Sequence, residues 1–151
     1  MRILTVRQPW AWAIIHGGKH VENRVRNIAG DYRGPVAIHV AKRLPPFQEH
    51  WDAGTMIAEI TGRRPLFHDP ATMGAIIGVV NLWAVHMHDG SARFNCCPNA
   101  PDKYTRWAQP GMWHLCFASP RALKEPIPFK GALGLRHLDG ETTARIMEAI
   151  G

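Results

Sequence analysis

Apolar and polar positions change period several times along the chain, and each change marks an element. Arg2 to Val6 reads as a short strand that runs into Gln8 and Pro9, where proline suits the start of a helix. Trp10, Ala11, Ala13, Ile14 and Ile15 form an apolar helical segment. Gly17 and Gly18 end it, because glycine adopts the left-handed conformation of helix termini without a Cβ penalty. Lys19 to Val25 alternates again, with Val21 and Val25 on one face and His20, Glu22 and Arg24 on the other.

Pro35 to Ala41 reads as a buried strand, set apart by the turn chemistry of Gly30, Asp31 and Gly34. Residues 47 to 62 read as a helix with Trp51, Ile57 and Ile60 as packing residues. Gly74 to Val85 is the longest β-branched run and the predicted central strand, and its two glycines point to bends of the kind that close barrels. His86 to Pro110 is expected to be a long loop rich in Asn, Pro and Gly. Met112 to Ala118 and Ala132 to Leu138 are the last strands, joined by SPRALKEPIPFKG, whose prolines argue against a central strand. A terminal helix starts near Glu141, capped by Asp139 or Gly140. About five or six strands with a few helices, and no regular βα alternation, predict an α+β fold built on a small barrel or strongly bent sheet.

The length of 151 residues suits one domain, spanning 1–151, because such a chain buries one proper core but hardly two. With 46% apolar and 20% charged residues, the composition is neither disordered nor membrane-like. Eighteen Lys and Arg against twelve Asp and Glu give a formal charge of +6 and favour polyanionic partners, although a merely soluble surface is equally consistent with it. Three cysteines, two of them adjacent, do not build a disulfide framework and suit a reducing compartment. There is no leader-like N-terminus and no apolar run of membrane-spanning length, so a cytoplasmic protein without a membrane partner is expected.

The segment Gly17-Gly18-Lys19-His20-Val21-Glu22-Asn23-Arg24 fits the pattern G-x-K-x-x-E-x-R. Together with the preceding LTVRQPWAWAI, the later VAIHVAK and the terminal PIPFKGALGL, it resembles the ASCH family of the PUA-like superfamily, over about Leu4 to Leu138. The resemblance implies a PUA-like β-barrel with surrounding helices and a cleft lined by this segment. It also implies a role in binding RNA or a nucleotide, recognition of a modified base included. It does not select one activity, because such families hold binders and enzymes.

The chemistry of the segment points the same way. A lysine, a glutamate and an arginine within six residues present a cation, an acceptor and a rigid donor fork, which together suit a phosphate and a base edge. Ideal alternation puts Glu22 and Arg24 on one face, and Lys19 joins them only if the Gly17-Gly18 turn redirects it. An inert surface ion pair is the plain alternative. Trp10 and Trp12 point to different sides of a helix, so one can face the cleft and stack on a base, and Trp12 is the expected one. Arg7 and Gln8 lie just before the helix and can reach an anion or base edge, unless Gln8 serves as a cap. His39 and Lys42, in the VAIHVAK segment, complete the expected ligand-binding set. Arg26, Arg33, Lys42 and Arg43 form a phosphate track if they share a face.

Some PUA-like relatives resemble small amidohydrolases of N(4)-acetylcytidine that use a lysine, a threonine three residues later and a distant glutamate. Here Lys19 matches the lysine, Glu22 stands at the threonine position, and no glutamate occurs between Glu59 and Glu125. Lys19 and Glu22 are nonetheless the candidates for general acid and base if there is turnover, with His20 or His39 as further proton carriers for a ribonuclease. The spacing demands neither activity, so a binding module is favoured over an enzyme and no cofactor is expected. His86, His88, Cys96 and Cys97 offer zinc-compatible donors, but vicinal cysteines chelate awkwardly and the spacing fits no common zinc pattern, so no metal is predicted.

Overall fold

The computed structural model of the chain describes residues 1–66, 68–88 and 106–150. In chain order the elements are β1 (Arg2–Val6), α1 (Trp10–His16), β2 (Val21–Arg24), β3 (Gly34–Val40), α2 (Phe47–Thr61), β4 (Ala75–Met87), β5 (Trp113–Pro128), β6 (Leu135–His137) and α3 (Gly140–Ile150). The strands form one sheet in the order β2-β5-β4-β3-β1-β6, in which β1 and β3 are parallel and every other pair antiparallel. The sheet curls into a half-barrel, an α+β architecture.

The curl has a local cause. Extra residues break the register between Ile38 and His39 and at three places along the β4–β5 ladder, and each bulge bends and twists its strand. Gly78 lies at one of them: a Cβ there would stand 2.7 Å from both the Arg121 carbonyl and the Ile15 side chain, so only glycine lets α1 settle this close.

Period-2 alternation sorts the core onto the two faces of the sheet. Leu4, Val6, Val36, Ile38 and Val40 point to the face on which α1 lays Ile14 and Ile15. Ile3, Ala37, Ile76 and Val79 point to the other, where Ile146 of α3 is fully buried. Asp139 caps α3, its carboxylate accepting from the Thr142 amide at 2.7 Å. A third cluster joins Ile57 of α2 to Val21, Trp107 and Cys116, each side chain of this kind contributing roughly 1.5–3 kcal/mol when fully buried. Among the described residues no helix is long and apolar enough to cross a membrane.

Several sequence expectations need correction. The SPRALKEPIPFKG stretch largely belongs to β5, between β2 and β4 in the strand order. Its prolines are tolerated because β2 pairs only with Trp113 to Cys116, so that among the described residues the rest of β5 has one neighbour, and because Pro120 and Pro126 fall where the β4 register breaks. β4 runs on to Met87, into the stretch read as a loop. Trp51 is no packing residue: it is exposed and stacks on exposed Phe47, ring centroids 6.2 Å apart. Val25 lies just past β2 and is exposed instead of sharing the buried face of Val21.

Candidate functional site

The G-x-K-x-x-E-x-R segment begins where α1 ends. Gly18 takes φ 72°, and the Lys19 amide donates back to the Ala13 carbonyl at 3.0 Å, so the chain turns before β2 starts at Val21. That turn brings Lys19 onto the side of Glu22, out of the alternation an ideal strand would impose. Its Nζ donates to the Val21 carbonyl and, at 3.1 Å, to Glu22 Oε2. The other carboxylate oxygen, Oε1, meets Arg24 Nη2 at 3.1 Å. The three charged groups thus form one ladder with the carboxylate in the middle.

Lys19 is buried and its ammonium lies 5.6 Å from the centre of the Trp10 ring. Burial pushes its proton affinity below the ordinary lysine value; Glu22 pulls it back up in part, and Arg24 pushes it down further.

Beside the ladder opens a cleft of about 750 Å³ between β2, the end of β1, the residues after β3 and the 130–134 loop. Arg7, Arg24, Lys42, Arg43 and Lys130 line it, and among the described residues Glu22 is its one carboxylate. The floor is fixed by His39. Its Nε2–H donates to the Phe129 carbonyl at 2.9 Å and its Nδ1 accepts from Thr5 Oγ1 at 3.2 Å, while Thr5 Oγ1 accepts from the Ala132 amide at 3.2 Å. Burial lowers the His39 proton affinity, in keeping with a neutral ring whose two nitrogens hold the loop in place. Lys42 lays its stem over Gly74, where a Cβ would come within 2.8 Å of it.

A second chamber of about 420 Å³ adjoins the cleft, and Trp10, Glu22 and Asn23 line both. Its far wall is the Trp107 to Pro110 segment. Asn23 fastens that segment to β2, donating through Nδ2 to the Trp107 carbonyl at 2.8 Å and accepting the Gln109 amide at 2.9 Å.

The expected site residues divide. Arg7, Trp10, Glu22, Arg24, His39 and Lys42 line the cleft, and Lys19 lines the adjoining chamber. Trp12, the tryptophan expected at the cleft, lies elsewhere: it packs against His16 with ring centroids 5.8 Å apart, and Arg63 sits over its ring at 4.7 Å. The reason is the roll of α1, which commits Ala11, Ile14 and Ile15 to the sheet and leaves Trp10 on the cleft side. Gln8 is a cap, its Oε1 accepting from the Trp12 amide at 3.0 Å, and it too lines a cavity on the Trp12 side. Arg43 joins Lys42 in the cleft, whereas Arg33 donates to the carbonyls of its own turn and Arg26 and His20 line neither cavity.

His86 and His88 gather around His114, with ring centroids 5.3 Å from it in each case. Among the described residues no group of three or more His, Cys, Asp or Glu has metal-binding geometry, and Cys96 and Cys97 lie outside the described residues. Sequence reasoning missed Lys130, Asn23 and Trp107. A large aromatic inside a stretch of Asn, Pro and Gly was the available signal for Trp107, since such a residue tends to be buried.

The model of the ASCH domain matches residues 4–121, most of the chain and all of the ladder. The chain belongs to the ASCH domain family. Among solved structures, the fold is similar to that of an ASCH protein from Zymomonas mobilis, with a TM-score of 0.55 at 15% identity, covering 97% of this chain and 93% of that one. A Tyr-to-Phe variant of that protein gives 0.58 at 16% identity, covering 97% and 96%. A Ser-to-Ala variant gives 0.53 at 15% identity, covering 97% and 94%. At this identity the likeness carries the ASCH fold alone. No curated protein sequence matches the chain.

Proposed function

We propose that this ASCH domain binds RNA through the cleft, with a sugar-phosphate backbone laid along the cations and one nucleotide held at the Lys19–Glu22–Arg24 ladder. The observation that carries this reading is the charge of the lining: among the described residues, Arg7, Arg24, Lys42, Arg43 and Lys130 face a single carboxylate, itself held by Lys19 and Arg24. Such a surface attracts a polyanion and releases its counterions. The family's general association with RNA adds weight. Recognition of a modified base at the ladder belongs to the same reading, as does work in the reducing cytoplasm, where buried Cys116 remains a thiol.

The test is the salt dependence of affinity for a labelled single-stranded RNA. Affinity falls steeply as salt rises, and Lys42→Ala and Lys130→Ala each reduce the slope by about one counterion. Affinity indifferent to salt, or no binding at low salt, rejects the proposal. Glu22→Gln separates a built site from a merely basic surface: it removes a repelling charge and so strengthens binding to a plain surface, but weakens binding where the carboxylate orients Lys19 and Arg24.

A second reading, a small hydrolase acting on RNA or on nucleosides of the N(4)-acetylcytidine type, rests on Lys19, a buried amine of lowered proton affinity in contact with a carboxylate. Incubation with N(4)-acetylcytidine and with RNA decides it. Cytidine or cut strands that vanish in Glu22→Gln would put the hydrolase in place of the binder.

A further inference from the structure

We infer that the cavity on the Trp12 side of α1 is a second ligand site, built for a small zwitterion with an apolar side chain, namely an aliphatic α-amino acid. The inference stands apart from the RNA-binding reading, because this cavity shares no lining residue with the cleft or its chamber. Its volume is about 310 Å³, at the small end of ligand pockets.

The sheet itself makes room for it. Between the Gly78–Ala122 and Ile76–Ile127 pairs β4 advances two residues while β5 advances five, so Leu123 to Pro126 leave the ladder. A bulge re-aims side chains, and this one turns Leu123, Lys124 and Pro126 into a wall of the cavity. Ile77 of β4, Trp12 of α1 and Leu66 supply further apolar lining.

Gln8 carries the first mark of a ligand. Its Oε1 accepts from the Trp12 amide at 3.0 Å, which fixes the other amide atom as a donor nitrogen. The residue is 2% exposed, yet no described residue accepts from that nitrogen, which keeps accessible surface at the cavity instead of being sealed in protein. Buried donors are nearly always paired, so this one calls for an acceptor within the cavity.

Charge carries the second. Among the described residues Asp69 and Lys124 are the charged groups of the lining, and neither is in an ion pair. Asp69 accepts the Ala71 amide on Oδ1 at 2.9 Å and keeps Oδ2, while the Thr72 hydroxyl already donates to the Asp69 carbonyl. His16 adds no charge at neutral pH, because burial and the nearby Arg63 lower its proton affinity. Arg63 is not part of the lining: it lies over the Trp12 ring and donates to the His16 carbonyl. A ligand of one charge would leave Asp69 or Lys124 unanswered. An amino acid answers both, its ammonium on Asp69, its carboxylate between Lys124 and the Gln8 amide, and its side chain on Leu66, Ile77 and Leu123.

The experiment titrates L-leucine into the full chain at neutral pH by calorimetry, beside glycine, 3-methylbutylamine and 4-methylpentanoate. Leucine should bind saturably, and the three analogues, which lack the side chain, the carboxylate and the ammonium in turn, should each bind at least about tenfold more weakly. Asp69→Asn should erase the advantage of leucine over 4-methylpentanoate, and Lys124→Met its advantage over 3-methylbutylamine. Gln8→Glu keeps the oxygen that caps α1 but replaces the free donor with a carboxylate oxygen, and should weaken leucine about tenfold. If that variant does not fold, Leu66→Trp, at an exposed position of the lining, should abolish binding by filling the cavity.

No saturable binding of leucine by the parent protein overturns the site. Equal affinity for leucine and either singly charged analogue overturns the zwitterion, and leucine affinity unchanged in both Asp69→Asn and Lys124→Met overturns the location. None of these outcomes bears on the cleft, whose test is the salt dependence of RNA binding.

Discussion

Arg24 Nη2 donates to the Thr5 carbonyl at 3.2 Å, so one side chain links edge strand β2 to β1 across the seam where the curled sheet stops short of closing. The carbonyl is free for this contact because strand geometry turns it outward. The next one along, on Val6, accepts from the Ala41 amide on the β3 side, and β6 pairs only with Arg2 to Leu4. The same guanidinium holds Glu22, which makes the motif a structural clasp as well as a charge cluster.

Arg24→Ala should therefore lower both the thermal midpoint and RNA affinity, each on the scale of a lost charged hydrogen bond, about 1.5–3 kcal/mol. Arg24→Lys keeps the charge but not the planar fork that reaches Thr5 and Glu22 together. It should restore the salt dependence of binding while leaving the melting deficit largely in place. Equal melting of Arg24→Ala and the parent protein would show that the clasp contributes nothing.

Lys19 gives a prediction in pH. Burial holds its ammonium below the ordinary value of 10.5, so it loses its proton at a lower pH than an exposed lysine does. Affinity for a phosphate backbone should accordingly fall as pH rises through that lowered value, before ordinary lysines titrate. The effect on stability has the opposite sign. An unfolded chain binds the Lys19 proton more tightly than the folded one, so folding gains stability between the lowered value and 10.5. Lys19→Met should abolish both trends, as read by anisotropy and thermal melting across the alkaline range.

How much of this was legible in the sequence depends on distance along the chain. The short apolar runs of Arg2 to Val6 and Pro35 to Ala41 placed β1 and β3, since both strands bury side chains on each face of the sheet, one face per core cluster. The motif announced a charged constellation because its three members lie within six residues. The choice between Trp10 and Trp12 was not legible, since helical spacing separates their directions without saying which side meets the cleft. Lys130 and the His39–Phe129 bond were hidden for another reason: they join residues 90 positions apart, and no local pattern encodes that closure. The prolines of β5 misled because the rule against them applies to a strand with two neighbours, and beyond Cys116 β5 has one among the described residues.

Acid should unfold the domain earlier than its few carboxylates would. His16, His20, His39, His50, His86 and His114 all have lowered proton affinities, with burial the largest cause in each; His88 and His114 add repulsion at His86. Histidines held neutral in the fold take up protons on unfolding, so stability is present above the unfolded value of 6.5 and is lost as pH falls below it. Thermal melts between about pH 7 and 5 should show a falling midpoint. His114→Gln should flatten the slope, and a midpoint flat over this range would contradict the neutral assignment.

The cleft wall supplies the last prediction, which turns on Gly131. A Cβ at this position would stand 2.7 Å from His39 Cε1 and 3.0 Å from both His39 Nδ1 and Thr5 Oγ1. An exposed flexible side chain would swing away, but His39 is 2% exposed and held at both ring nitrogens, by Phe129 and Thr5. The loop must move instead. Gly131→Ala should therefore destabilise the domain by about 1–3 kcal/mol, the usual cost of overpacking, and weaken RNA binding by carrying Lys130 out of line. Gly140→Ala is the control, because nothing lies within 4 Å of its added carbon. The decisive measurement is a double-mutant cycle. Once His39→Ala has removed the ring, Gly131→Ala should cost little, leaving a coupling of about 0.5–3 kcal/mol. If the cost is the same with and without the ring, the imidazole is not what fixes this wall, and the path from His39 through the loop to Lys130 is broken.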